Sequence, residues 1–176
     1  MSPTGIHGLS PTERMAIVAV GSNLGDSKAA VLNAFDAVES LFDRPCLKSS
    51  LWETTPVDCP PNSPQFINAI VVLEVPESET PEAMLAKLQR IESDAGRRRG
   101  GITNEARSLD LDLIAFAEEI RNGPALVLPH PRAHLRRFVL APLVELLPGF
   151  RAPGWPDTAA NLLAKLPSQD KALRLD

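Results

Sequence analysis

The six residues Ser108-Leu109-Asp110-Leu111-Asp112-Leu113 carry the sharpest chemical signal in the sequence. On an extended strand the side chains alternate between faces. Leu109, Leu111 and Leu113 then share one face, and Asp110 and Asp112 share the other, about 7 Å apart along it. Like charges held side by side repel each other, and a divalent cation is one reason to align them. Mg2+ takes carboxylate oxygens together with substrate phosphates. A pair of such ions about 4 Å apart can clamp a phosphoryl group during transfer. A solvated acidic strand face gives the same alternation with no ligand at all.

Arginines stand close to this pair. Arg97, Arg98 and Arg99 are consecutive, and Arg107 lies just ahead of the acidic segment. Guanidinium forks match phosphate oxygens two at a time, so this grouping suits a triphosphate. A solvated helix end is the alternative, since cations favour that pole of the helix dipole. Between the arginines runs Gly100-Gly101-Ile102-Thr103-Asn104-Glu105-Ala106. It reads either as a lid that closes over a nucleotide and excludes water or as a plain surface connection.

A third group points to a flat ligand. In Gln65-Phe66-Ile67-Asn68, a strand would turn Phe66 and Asn68 to one side. An aromatic face beside an amide can stack on a heterocycle and hydrogen-bond its edge. Thr54 and Thr55 can add polar contacts. A core phenylalanine and a turn-facing asparagine are the bland equivalent. Further on, in the segment 129–138, His130 and Arg136 can reach phosphates and Phe138 can form a second stacking wall. A helix start with surface arginines would look the same. Gly21-Ser22-Asn23-Leu24-Gly25 is a substrate-facing turn or a structural strand-to-helix turn. It lacks the lysine and spacing of a Walker A loop.

These groups must be held by elements. Residues 16–20 (AIVAV) read as a buried strand. From Ser27 a helical period carries Val31, Leu32, Phe35, Val38 and Leu41, with Asp26 or Ser27 as cap. Strands follow over 48–54 and 65–75. A second helix opens at Thr80-Pro81 and stops at Gly96. Residues 108–116 form a fourth strand and 120–128 a small hairpin. Helical spacing returns over 139–147 and 159–166, either side of an irregular stretch at 148–156. The order β-α-β-β-α-β predicts an α+β ferredoxin-like fold, an antiparallel sheet with two helices on one face and additions at the C-terminal end.

The bulk properties bound the rest. A chain of 176 residues suits one domain. Residues 1–14, rich in Ser, Pro and Gly, read as a flexible tail, and residues 15–176 as the domain. They lack the apolar stretch of a signal peptide, and no apolar run reaches the roughly 18 residues of a membrane helix. Cys46 and Cys59 make no disulfide framework or metal spacing, which points to a reducing cytoplasm. The net charge of −4 argues against a nucleic-acid binder. Local arginine clusters on an acidic chain favour a small polyanionic ligand.

Taken together, the segments resemble the hydroxymethyldihydropterin pyrophosphokinase family. The resemblance runs from about Ala16 to about Phe150. It is carried by VGSNLGD at 20–26, Thr54-Thr55-Pro56, Phe66-Ile67-Asn68, Gln89-Arg90-Ile91-Glu92, Arg97-x-Arg99, ARSLDLDLIAF at 106–116, and LPHPR with RRFVLAPL between Leu128 and Leu143. The resemblance implies transfer of diphosphate from ATP to 6-hydroxymethyl-7,8-dihydropterin, with AMP released, in folate synthesis. It implies two Mg2+ ions on Asp110 and Asp112, with Arg97, Arg99 and Arg107 serving catalysis. It puts ATP on Gln89, Glu92, Arg97, Arg99, Arg107, Leu113, His130 and Arg136. It puts the pterin on Thr54, Thr55, Val57, Asn68 and between Phe66 and Phe138. Departures are Asn104 where the family often has an aromatic, Ala106 where a proline is frequent, and Thr55 in place of a common proline. The expected partners are ATP and the pterin alone, with no nucleic acid or membrane, on a monomer. A ferredoxin-like module that senses a small molecule without catalysis is the rival reading. It leaves the acidic pair beside an arginine cluster unexplained.

Overall fold

The structure, a computed structural model, describes residues 14–55, 64–97, 109–167 and 170–175. The first strand, β1 (Met15–Ser22), is buried on both faces, and it runs longer than its apolar pentad. Gly25, at φ 62°, makes the left-handed turn that leads into helix α1 (Ser27–Glu39). The Asp26 carboxylate caps that helix by accepting the Ala29 N–H at 3.1 Å. Val31, Ala34, Phe35 and Val38 form its buried stripe.

The strand expected over 48–54 is two short strands, β2 (Cys46–Lys48) and β3 (Trp52–Thr54). Both pair with the long β4 (Phe66–Glu74). The break falls at Ser49 and Ser50. The Ser49 hydroxyl accepts the Ile70 N–H that a continuous ladder would have used differently. The Ser50 N–H turns away from the sheet to a carboxylate of Glu145. At the break, side chains thus supply partners to two backbone N–H groups, Ser49 to Ile70 and Glu145 to Ser50, in place of ladder bonds.

Helix α2 (Pro81–Arg97) begins with proline where a missing N–H costs nothing. Strand β5 (Asp110–Phe116) follows, then the hairpin β6 (Arg121–Asn122) and β7 (Val127–Leu128). A 3-10 turn at Ala133–Leu135 leads into α3 (Arg137–Leu146), and α4 (Ala159–Lys165) comes after it. A short strand, β8 (Ala172–Arg174), pairs with β3; a run of three residues carries no alternation for a sequence reading to find.

The sheet order is β5-β1-β4-β3-β8, with β2 also on β4. All pairings are antiparallel. This is the ferredoxin-like order, in which the β-α-β units interleave. Helices α1 and α2 cover one face over Val18, Val20, Val71, Leu111 and Phe116. The C-terminal additions bury the other face: α3, the stretch after it and α4 pack Leu140, Leu143, Trp155 and Leu162 onto Ile17, Ile70, Val72 and Ile114.

One irregularity decides what β5 presents. The register to β1 runs Val18 to Leu113, then Ile17 to Ala115, so Ile114 is the extra residue of a bulge. Leu109, Leu111, Leu113 and Phe116 therefore all face α1 and α2, while Ile114 and Ala115 face the α3 side. Asp110 and Asp112 are exposed on that same α3 side.

Candidate active site

Register brings the chemistry-bearing residues into one row. Asp110 on β5 lies opposite Gly21 on β1, Gly21 opposite Asn68 on β4, and Asn68 opposite Trp52 on β3. Opposite residues in an antiparallel pair share a face. One step to one side of this row Asp112 is opposite Ala19, and one step to the other side Thr54 is opposite Phe66. The face opens here into a cleft of about 180 Å3. Its floor is Ala19 and Gly21, one side holds Asp110 and Asp112, and the other holds Thr54, Thr55, Phe66 and Asn68. Arg136 and Phe138, at the start of α3, lean over it. Acidic pair, amide and both rings of the sequence reading therefore meet in a single cavity.

The floor is small for a reason. A Cβ on Gly21 would lie 2.7 Å from Asn68 Oδ1, inside contact distance. Glycine lets the Asn68 amide lie across β1. The amide is buried and its Nδ2 donates to the buried Thr54 hydroxyl, which fixes which end of the amide points where. On the far wall the Arg136 guanidinium stands 5.3 Å from the centre of the Phe138 ring. This cation–π contact holds both side chains at the cleft. Small residues at alternate positions of β1, Ala19 and Gly21, are a sign of close approach on that face; the sequence instead suggests a turn from Gly21, which the structure places within β1.

His130 sits half-buried beside the acidic end. Its backbone N–H donates to Ile114 O at 2.8 Å, and its Nδ1 accepts from the Arg132 N–H at 3.2 Å. Burial pulls its pKa below the ordinary imidazole value; the Asp112 charge opposes this, and Arg136 and Arg132 add to it. The ring is thus neutral at neutral pH, with its proton on Nε2 as a hydrogen-bond donor.

The nucleotide positions implied by the resemblance divide between places. Glu92 reaches from α2 to the outer edge of β5, where Leu111 N–H lies 3.4 Å from its carboxylate. Gln89 is exposed three residues earlier on the same helix. The Leu113 side chain is 4% exposed in the core under α1 and α2, away from the cleft. Two residues on from Leu111, it brings its backbone to that same open strand edge. Arg97 is the last residue of α2. Arg99, Arg107, Val57 and the segment 100–106, with Asn104 and Ala106, lie outside the described residues.

The donor set fits a hard divalent cation. Two carboxylates face one opening, and no third Asp, Glu, His or Cys joins them in a cluster among the described residues. Such a site leaves coordination positions for water and phosphate oxygens, as Mg2+ prefers.

The family model for 7,8-dihydro-6-hydroxymethylpterin-pyrophosphokinase (HPPK) matches residues 17–148. A 2-amino-4-hydroxy-6-hydroxymethyldihydropteridine pyrophosphokinase of Pseudomonas aeruginosa is 36% identical over 137 residues, covering 77% of this chain and 82% of that one. One from Mycobacterium tuberculosis is 35% identical over 166 residues, covering 88% and 85%. Among solved structures, an HPPK-DHPS of Plasmodium falciparum aligns with a TM-score of 0.67 at 15% identity, over 87% of this chain. This chain spans 45% of that longer one, and the likeness speaks for the fold.

Proposed function

The chain belongs to the 7,8-dihydro-6-hydroxymethylpterin-pyrophosphokinase family, and from that premise we infer its reaction: the diphosphate of ATP passes intact to the hydroxymethyl oxygen of 6-hydroxymethyl-7,8-dihydropterin, a step of folate biosynthesis. The observation that supports this best is the meeting, in one cleft, of an acidic pair suited to metal-bound phosphates with an amide and two aromatic rings suited to a flat heterocycle. The non-catalytic sensing module accounts for the second half of that cleft and leaves Asp110 and Asp112 without a purpose.

In the reaction the substrate hydroxyl oxygen bonds to the β-phosphorus of ATP. The bond from that phosphorus to the α–β bridging oxygen breaks, AMP departs with the bridging oxygen, and the hydroxyl proton is released to water. Asp110 and Asp112 would hold two Mg2+ ions. When bound, Mg2+ neutralises phosphate charge and lowers the pKa of the attacking hydroxyl. Phe66 and Phe138 flank the pterin ring, while Asn68, Thr54, Thr55 and the backbone at Val57 bond its polar edges. His130 donates Nε2–H to a phosphate oxygen, and Arg136 neutralises charge beside it. Arg97, Arg99 and Arg107 serve the triphosphate from α2 and the segment after it. Gln89, Glu92 and the edge backbone of Leu113 hold the nucleoside end. Catalysis of this kind is positioning and charge neutralisation. The enzyme acts as a monomer in a reducing cytoplasm; no helix among the described residues is long and apolar enough to cross a membrane.

A coupled assay for AMP tests the reading. AMP should form only when ATP, Mg2+ and hydroxymethyldihydropterin are all present, and a chelator should stop it. Pterin binding with no AMP formed would favour the sensing module. ATP breakdown indifferent to pterin would remove the proposal.

A further inference from the structure

Glu145 lies on α3, seven residues beyond Phe138 and so on the same helix face. It is not among the residues that line the cleft. Its carboxylate nevertheless collects bonds from the other wall. Oε1 accepts from the Ser50 N–H at 3.0 Å and the Ser50 hydroxyl at 2.6 Å. Oε2 accepts from the Trp52 indole N–H at 2.9 Å. Arg174 on β8 approaches Glu145 at 3.6 Å and also donates to the Ser50 hydroxyl. One carboxylate, 19% exposed, thus ties helix α3 to the break between β2 and β3 and to the edge strand β8.

The tie bears on the substrate slot by register. Trp52 is the residue opposite Asn68, and Thr54, two residues on, is bonded to the Asn68 amide. The β3–β4 wall therefore carries the edge-binding groups and Phe66, and the α3 wall carries Phe138 and Arg136. At the Ser49-Ser50-Leu51 break β3 loses its continuity with β2. We propose that Glu145 is a positioning residue that sets the separation of these two walls, and so the width of the slot for the flat ring, by holding β3 to α3 through Trp52 and Ser50. The proposal rests on the pterin reading of the cleft. It also assigns Trp52 and the C-terminal strand a part in substrate recognition, although neither touches the substrate.

Steady-state kinetics of Glu145→Leu, Glu145→Gln and Trp52→Phe against the wild type test it. Glu145→Leu should raise the pterin KM about tenfold while the ATP KM stays within about twofold. Trp52→Phe keeps an aromatic side chain but removes the indole N–H together with part of the ring volume, and should give part of that rise. Glu145→Gln keeps the reach and a carbonyl acceptor, and should return the pterin KM to within about threefold of wild type. A pterin KM unchanged in Glu145→Leu, or both KM values rising together, overturns the proposal. Should Glu145→Leu not fold, Trp52→Phe decides: a selective rise in pterin KM supports the tie, and an unchanged one removes it. A wild-type protein that makes no pterin-dependent AMP would instead sink the functional reading, which keeps the two failures apart.

Discussion

Asp110 and Asp112 owe their shared exposure to a period of two along β5, and their neighbours Leu109, Leu111 and Leu113 hold that phase by being buried. Removing one carboxylate leaves these anchors in place. Asp110→Ala should therefore keep its melting temperature within a few degrees and lose turnover by at least about a thousandfold, the scale of losing a key charge-stabilising group. Near-normal turnover in that variant would remove the metal assignment. Gly21→Ala tests the floor. Its Cβ would press on Asn68 Oδ1 at 2.7 Å, so the amide must shift. A cost of about 1–3 kcal/mol in urea unfolding, with a raised pterin KM, is expected; unchanged values of both would mean the amide position is not fixed by the glycine. The acidic pair, Phe66 and Asn68 were legible in the sequence because alternation places near neighbours on one face. The Trp52–Glu145 bond was not, because it spans 93 residues and neither position has a local pattern that names its partner. Leu113 shows the opposite limit: the resemblance marks it, but only the burial of its side chain reveals that its backbone is the part that can reach a ligand.

At the scale of elements, caps and short strands set the margins. The Asp26 carboxylate holds the N-terminus of α1, directly after the turn at the cleft end of β1. Asp26→Ala should cost about 1 kcal/mol of stability in chemical denaturation; no change would mean the turn, not the cap, fixes the helix start. Helix α4 has a more pH-sensitive start. Asp157 accepts from the Asn161 amide, Lys165 and the Thr158 N–H, and its pKa is pulled down to about 2. A carboxyl depressed on folding adds stability that is complete above its unfolded value, near 3.9, and is lost as the pH falls through the folded value. Amide protection factors in α4 should thus fall between about pH 4 and 2, and Asp157→Asn should remove that dependence. Glu145 behaves with the same sign. Burial alone would raise its pKa, but bonds from Ser50 and Trp52 and the charge of Arg174 outweigh this and lower it. Acid therefore loosens the α3–β3 tie as well. The main strands and helices were readable from period and punctuation. The split of the second strand was not, since it depends on Ser49 and Ser50 finding partners on β4 and α3. Nor was β8, a three-residue strand with its ladder partner far off in sequence.

At the scale of the whole molecule, one sheet does two tasks. Along most of its length it is a filler between two apolar layers, with α1 and α2 on one side and α3 and α4 on the other. At one end the second layer stops at Arg136 and Phe138, and the bare sheet face becomes the cleft. The bulge at Ile114 re-phases β5 behind the aspartates, so that Ile114 and Ala115 both fill the α3 side and Phe116 returns to the side of α1 and α2. The most direct test of the account is phosphorus NMR of the reaction mixture containing ATP, Mg2+ and hydroxymethyldihydropterin. The predicted result is AMP together with a pterin ester whose two coupled phosphorus signals show that the diphosphate moved as a unit, with both products absent for Asp110→Ala. Formation of ADP with a singly phosphorylated pterin, or of free pyrophosphate with unchanged pterin, would contradict it.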